Sequence, residues 1–274
     1  MVRSVLERKG GDLKEPTIIL AGGRGTRLGD LSRDEPKPMV YIDDQPILWH
    51  IMMIYAKAGY QNFIVCLGYK SHLIRDYFRT LHERTFDVEV NFTKNREEVR
   101  RPRNGENRLR QVILAETGFS SMTGARVKAV ERYVDTPFFL LTYGDGVADL
   151  DIAEVVRFHL SHGKLGTLTA VHPPARFGEL FLDGDQVVDF GEKRHMGTGR
   201  INGGFMVFKR EIFDYLEKIP SCNLEADVLP RLVREGELRA FLHDGYWQCM
   251  DTPRDVEFLR EMCAKGERPW LDEK

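Results

Sequence analysis

Apolar positions along this 274-residue chain fall into short runs separated by segments with helical spacing. Residues 17–21 are apolar and β-branched and run into glycines, the pattern of a buried strand. Pro46 opens a segment with Ile47, Leu48, Ile51, Ile54 and Tyr55 at helical spacing, and Gly59 supplies its stop. Residues 63–67 predict a second strand, 72–81 a second helix and 87–92 an alternating third strand. Helix is expected over 127–134, then a strand over 138–142 that empties into Tyr143, Gly144, Asp145 and Gly146, then a helix over 151–160. From 167 onward strands dominate, at 167–171, 179–182, 186–190 and 201–208. Helices near 226–234 and 253–262 enclose a last strand at 238–242. Strands alternating with helices predict an α/β fold with a largely parallel sheet.

Composition narrows the choices. A chain of this length buries a sizeable core without metal or disulfide staples, as one large domain or two. Lys plus Arg number 40 against 42 Asp plus Glu, a net charge of -2 that speaks against nucleic acid or an anionic membrane as partner. Apolar runs are far shorter than the roughly 18 residues of a membrane span. Residues 1–15 form an N-terminal extension with no apolar core of signal-peptide type. The four cysteines, Cys66, Cys222, Cys249 and Cys263, make no C-x-x-C pair, so the expectation is a cytoplasmic protein with free thiols. Residues 94–110 carry seven basic and three acidic residues and read as a solvated loop or insertion.

The chemistry concentrates after the first strand, where residues 20–28 read LAGGRGTRL and 35–38 read EPKP. Three glycines in four positions let the backbone approach a ligand and aim N–H groups at it, as phosphate cradles do. The spacing fits neither a Rossmann fingerprint, where Leu28 stands in place of the last glycine, nor a Walker A loop, which requires Gly-Lys-Ser/Thr. The loop carries cations instead, Arg27 within it and Lys37 beyond it.

These residues resemble the sugar-1-phosphate nucleotidyltransferases. The segments PILWHIM at 46–52, LGYK at 67–70, SSMTGAR at 120–126, TYGDGVADLD at 142–151, INGGF at 201–205 and WQCMDT at 247–252, with Pro174, Arg176, Phe177 and Gly178, are similar to the glucose-1-phosphate cytidylyltransferases in particular. The likeness runs from about residue 16 to the C-terminus. It implies a three-layer, Rossmann-like α/β domain over 16–274, the nucleotide-diphospho-sugar transferase fold. The nucleotide-binding half would cover about 16–150 and the sugar-binding half about 151–274, in a homo-oligomer for which a hexamer is one form. The implied reaction is attack of a sugar 1-phosphate on the α-phosphorus of CTP with release of pyrophosphate, supported by Mg2+.

Carried over by this resemblance, the nucleotide contacts are Leu20, Ala21, Gly22, Gly23, Gly25, Thr26, Arg27, Lys37, Ser121, Gly124, Arg126 and Gly144. Arg27, Lys37 and Asp145 are the catalytic set, and Asp145 with Asp251 the magnesium ligands. Gly178, Glu192, Lys193, Asn202 and Gly203 would meet the sugar phosphate. An arginine presents donors only, so Arg126 facing the N3 and O2 acceptors of cytosine would disfavour uracil and thymine, whose N3 donates. Two departures bear on the sugar: an E-K-P triplet reads Glu192, Lys193, Arg194, and a W-E-Q-E-P-like segment is replaced by LEADV at 224–228.

Other readings remain open at this point. The same chemistry with another sugar 1-phosphate, or with UTP or dTTP, fits these residues. Asp149 and Asp151 spell the D-x-D metal motif of nucleotide-sugar glycosyltransferases. A nucleotide-sensing subunit without chemistry is a third reading, although such a chain is expected to lose Arg27, Lys37 or an aspartate. His159 and His162 read as a surface pair without a third ligand, and Cys249 as a packing residue beside Asp251.

Overall fold

Both faces of the 17–21 run are apolar, and the chain buries it at the centre of a sheet. In this computed structural model the residues described are 15–85, 87–91, 93, 96–100, 109–174, 179–183, 186–191 and 199–272. In chain order the elements are β1 (Thr17–Leu20), α1 (Ile47–Lys57), β2 (Asn62–Leu67), α2 (Ser71–Thr85), β3 (Asp87–Asn91), β4 (Arg96–Arg100) and β5 (Gln111–Glu116). They continue with α3 (Thr123–Ala129), β6 (Phe138–Tyr143), β7 (Gly146–Ala148), α4 (Ile152–His162), β8 (Gly166–Val171), β9 (Glu179–Asp183) and β10 (Gln186–Gly191). The last are β11 (Ile201–Asn202), β12 (Met206–Lys209), α5 (Leu229–Arg234), β13 (Leu238–Leu242), β14 (Trp247–Cys249) and α6 (Pro253–Ala264).

The central sheet has the order β11-β8-β12-β6-β1-β2-β5, with β13 also paired to β8. Strands β6, β1, β2 and β5 run parallel, β13 is parallel to β8, and β12 and β11 are antiparallel to their partners. Alternate residues of the inner strands point to opposite faces. Ile19, Val65, Leu67, Leu140 and Val207 join a core with residues of α1, α2, α4 and α6. Ile18, Ile64, Cys66, Phe139, Leu141 and Phe208 join a second core with α3 and α5. The result is a mixed, mostly parallel sheet between two helical layers, as expected. Among the described residues no helix is long and apolar enough to cross a membrane.

Several elements depart from the expectation. The strand over 87–92 forms as β3, but it pairs with β4 in a separate hairpin, so part of the 94–110 segment is strand rather than loop. The next strand of the central sheet is β5, whose short apolar run beside a charged segment carries no clear period. The run over 201–208 divides into β11 and β12 because Gly204 (φ 80°) and Phe205 (φ 46°) adopt left-handed backbone that cannot continue a pleat. The helix expected over 127–134 begins earlier, at Thr123, and ends at Ala129. The helix near 226–234 starts as a π-type turn, Leu224–Val228.

Candidate active site

The glycine loop leaves the end of β1 and closes over the neighbouring strands through its own backbone. Ala21 N–H donates to Cys66 O, and Tyr69 N–H donates to Gly22 O, both at 3.1 Å. Gly25 takes a left-handed conformation (φ 63°) and starts the 3-10 turn Thr26–Leu28, which carries Arg27. Arg126, one turn into α3, threads beneath this loop and is only 4% exposed. Its Nη2 donates to Gly22 O at 3.0 Å, and its Nη1 to Leu67 O at 3.0 Å, Thr117 Oγ1 at 2.8 Å and Gly118 O at 2.9 Å. A Cβ at Gly22 would stand 2.1 Å from Nη1, so the glycine makes room for the guanidinium. Burial pulls the Arg126 pKa below the ordinary arginine value, with Cys66 and Glu116 opposing.

Opposite the loop stands a lysine between two carboxylates. Lys37 lies on the turn Lys37–Met39 and is 9% exposed. Its Nζ sits 2.7 Å from Asp145 Oδ2 and 2.5 Å from Asp251 Oδ1, and Arg27 Nη1 reaches Asp251 Oδ2 at 3.2 Å. Asp145 and Asp251 are distant in sequence; the short β7–β14 ladder, which pairs Gly146 with Cys249, draws them together, and Met250 N–H donates to Asp145 O at 2.8 Å. Asp255, in the capping box of α6, accepts from Asp251 N–H at 3.0 Å and fixes its backbone. Burial works to lower the Lys37 pKa, but the facing Asp145 and Asp251 carboxylates hold the proton and keep it above the ordinary lysine value. Burial works to raise Asp251, and Lys37 and Arg27 bring it below the ordinary aspartate value. Two carboxylates converging on one cation offer the few hard oxygen donors that magnesium takes alongside phosphate oxygens and water, so they fit such an ion. Among the described residues no cluster of three or more His, Cys, Asp or Glu gathers around a metal position.

These residues line one open cleft of about 370 Å³. It brings together Leu20, Ala21, Gly22, Gly23, Gly25, Thr26, Arg27, Lys37, Ser121, Arg126, Gly144, Asp145 and Asp251. Gly124 is not on the cleft wall; it faces Cys222, whose Sγ would lie 2.8 Å from an added Cβ, so its small size serves packing rather than a base. Asn202 touches the cleft indirectly, donating from Nδ2 to the Tyr143 hydroxyl at 3.2 Å. Gly203 accepts from Trp247 Nε1 at 2.9 Å, packed tightly on Val171. Gly178, Glu192 and Lys193 lie outside the described residues. Pro38, Met122, Thr123 and Tyr143 also line the cleft and escaped the sequence reading. Tyr143 immediately precedes Gly144 and Asp145, which was the available signal.

The competing motifs have other occupations. Asp149 pairs with His243 at 3.0 Å and Asp151 caps α4 through Ala153 N–H at 2.8 Å, so neither side of the D-x-D motif joins the cleft. His159 and His162 are not a surface pair. His159 is 1% exposed, and Nδ1 of His159 and Nε2 of His162 meet Thr167 Oγ1 at 2.9 and 2.8 Å. Burial pushes the His159 pKa down to about 3, which keeps it neutral. The Cys249 thiol is pushed up to about 11 by burial and by Asp251, which suits packing and not nucleophilic attack.

Known proteins share this arrangement of chain. A glucose-1-phosphate cytidylyltransferase from Salmonella typhi is 46% identical over 254 residues, 92% of this chain and 97% of the relative. The crystal structure of HddC from Yersinia pseudotuberculosis complexed with GMP-PN superposes with a TM-score of 0.64 at 26% identity, covering 91% of this chain and 99% of that one. An inositol-1-phosphate CTP transferase from T. maritima, at 16% identity and a TM-score of 0.61, shares the fold. The family described as nucleotidyl transferase matches residues 16–258, and with a curated relative at 46% identity over nearly the whole length, this chain belongs to that family.

Proposed function

We propose that the protein transfers a cytidylyl group from CTP to a sugar 1-phosphate, glucose 1-phosphate by default, releasing pyrophosphate. The observation that carries this reading is the Lys37 ammonium held between Asp145 and Asp251, in the same cleft as the glycine loop and Arg27. Both reactants are polyanions, so the protein's task is to neutralise charge and align an in-line attack on the α-phosphorus. Loop amides and Arg27 would bind the triphosphate and the charge that develops on the α-phosphoryl oxygens. Lys37 adds a buried cation at the phosphate end. Asp145 and Asp251 would hold Mg2+, which when bound supplies Lewis-acid neutralisation of phosphate oxygens. Asn202 and Gly203, with Gly178, Glu192 and Lys193, are the proposed sugar-phosphate side. The choice of cytosine follows the curated relative's activity and the donor-only character of Arg126.

The reading carries with it a cytoplasmic homo-oligomer; four free thiols fit a reducing compartment, and sedimentation of the purified chain measures its assembly. The test of the reaction is pyrophosphate release from a panel of nucleoside triphosphates and sugar 1-phosphates, with no acceptor beyond the sugar phosphate. The fastest pair is expected to be CTP with glucose 1-phosphate, and release should stop on chelation and return with Mg2+. Absence of release with every pair overturns the proposal.

A further inference from the structure

Glu225 sits behind the cleft wall on the turn Leu224–Val228. Asn223 Oδ1 accepts from the backbone N–H groups of Glu225 and Ala226, each at 2.9 Å, and Asp227 Oδ2 accepts from Asn223 N–H at 2.7 Å. The turn so held presents one carboxylate to two hydroxyls that line the cleft. Oε1 accepts from the Tyr143 hydroxyl at 2.6 Å, and Oε2 accepts from the Thr123 hydroxyl. Thr123 Oγ1 in turn accepts from Leu224 N–H at 3.0 Å, and Tyr143 Oη accepts from Asn202 Nδ2 at 3.2 Å. An ionised carboxylate only accepts, and a phenol has a single proton. With that proton committed to Glu225, the Tyr143 oxygen can only accept, from Asn202 and from one further donor.

We propose that Glu225 is a positioning residue that fixes the hydrogen-bond polarity of the Tyr143–Asn202 wall, so that this wall accepts from a sugar hydroxyl and thereby determines how the sugar 1-phosphate is held. The proposal rests on the reading of the cleft given above. It separates the sugar from the nucleotide, because the loop, Arg27 and Arg126 make no contact with Glu225 among the described hydrogen bonds.

Glu225→Gln keeps the shape but exchanges one of the two accepting oxygens for an NH2 donor, so the two hydroxyls no longer both meet an acceptor and the phenol proton is no longer assigned. The variant is expected to raise KM for glucose 1-phosphate by roughly tenfold, the scale of one hydrogen bond to a charged group. KM for CTP should stay within about twofold, well under the effect of losing such a bond. Tyr143→Phe, which removes only the hydroxyl, is expected to reproduce the effect, and the double variant to be no worse than the worse single variant. Among monodeoxy glucose 1-phosphates, the wild type should discriminate against the one lacking the recognised hydroxyl, and Glu225→Gln should lose that discrimination. If Glu225→Gln fails to fold, Tyr143→Phe and the deoxy series carry the test. An active wild type whose variants shift both KM values alike, or whose double variant is additive, overturns this proposal alone. A wild type that releases no pyrophosphate overturns the cytidylyl-transfer reading and this proposal with it.

Discussion

Lys37 Nζ stands 2.5 Å from Asp251 Oδ1 in a site that leaves the lysine side chain 11% and the aspartate side chain 22% exposed. A buried ammonium is tolerated when it is paired, and removing it leaves Asp145 and Asp251 facing each other with reduced solvation. The two groups are perturbed in complementary directions, Lys37 upward and Asp251 downward.

That pairing gives a pH dependence with a definite sign. Asp251, whose folded value is depressed, contributes stability above the ordinary aspartate range and loses it as pH falls through the folded value. Lys37, whose folded value is raised, contributes below the ordinary lysine value and loses it only as pH rises through the higher folded value, far into alkali. Lys37→Met is therefore expected to lower the urea midpoint most near pH 7, and the gap from wild type should narrow below about pH 4 as the freed carboxylates protonate. Equilibrium urea unfolding at the two pH values measures it. A gap that does not change with pH would mean that lost packing, not charge, dominates the substitution.

Asp145→Asn and Asp251→Asn test the acidic pair in turnover. Each removes a charged oxygen donor while keeping the side chain's shape, and β7, β14 and the capping box of α6 hold the backbone in place independently. We expect a fall of roughly 100-fold or more in kcat/KM, about 2.7 kcal/mol, with a circular dichroism spectrum like the wild type's. Magnesium titrations of the variants should show a higher half-saturating concentration. Near-normal turnover in both would remove the pair from the chemistry.

Most of the candidate cleft was legible because its residues follow a buried strand end or a short motif. The run at 17–21 announces β1, the glycines after it announce the loop, and Asp145 follows the 138–142 run, so local pattern was enough. What pattern could not show was contact across distance. Arg126 under Gly22 depends on α3 starting at Thr123, four residues before the helical period becomes visible. Gly124 lies between Ser121 and Arg126 in the motif that suggests a nucleotide contact, but helical geometry turns it toward Cys222. Tyr143 and Glu225 are 82 residues apart and meet through a π-type turn whose five residues, LEADV, give no periodic signal. His159 departs for the opposite reason: an imidazole on a helix suggests polar surface, whereas Thr167 on β8 gives it a buried partner.

Arg27 presents a different case, since its side chain is 76% exposed and, among the described residues, its ion pair is with Asp251. An exposed pair of this kind adds little to stability, so Arg27→Ala should unfold like the wild type. Its proposed contact strengthens as charge develops at the α-phosphate, and such a contact lowers the barrier rather than the ground state. Steady-state kinetics with CTP should show kcat falling by roughly tenfold or more while KM moves less, a loss of about 1.4 kcal/mol. A change confined to KM would make Arg27 a ground-state anchor.

Arg126 holds the loop, and its proposed part in the choice of base separates from that role in one set of measurements. Its Nη1 and Nη2 donate to Gly22 O, Leu67 O, Gly118 O and Thr117 Oγ1, so Arg126→Ala strands buried acceptors, each costing roughly 1–3 kcal/mol where water does not replace the donor. Stability should fall, and kcat/KM should fall for every nucleoside triphosphate because Gly22 is no longer held. Among the described hydrogen bonds Nη1 and Nη2 are used and Nε–H is not, so Nε–H is the donor proposed to meet the base. Cytosine presents acceptors at N3 and O2, while uracil presents a donor at N3, so the loss should be greater with CTP. We expect the kcat/KM ratio of CTP over UTP to drop by roughly tenfold in Arg126→Ala, about 1.4 kcal/mol of discrimination. Arg126→Lys should recover little of either effect, because a point charge does not span the separated carbonyls that the guanidinium fork bridges. Gly22→Ala supplies the control: its Cβ would drive the guanidinium off the loop without removing the donor. If Gly22→Ala weakens CTP and UTP alike while Arg126→Ala changes their ratio, the latch and the base contact are separate properties of one side chain. If neither substitution moves the ratio, Arg126 holds the loop and the backbone around Ser121 selects the base.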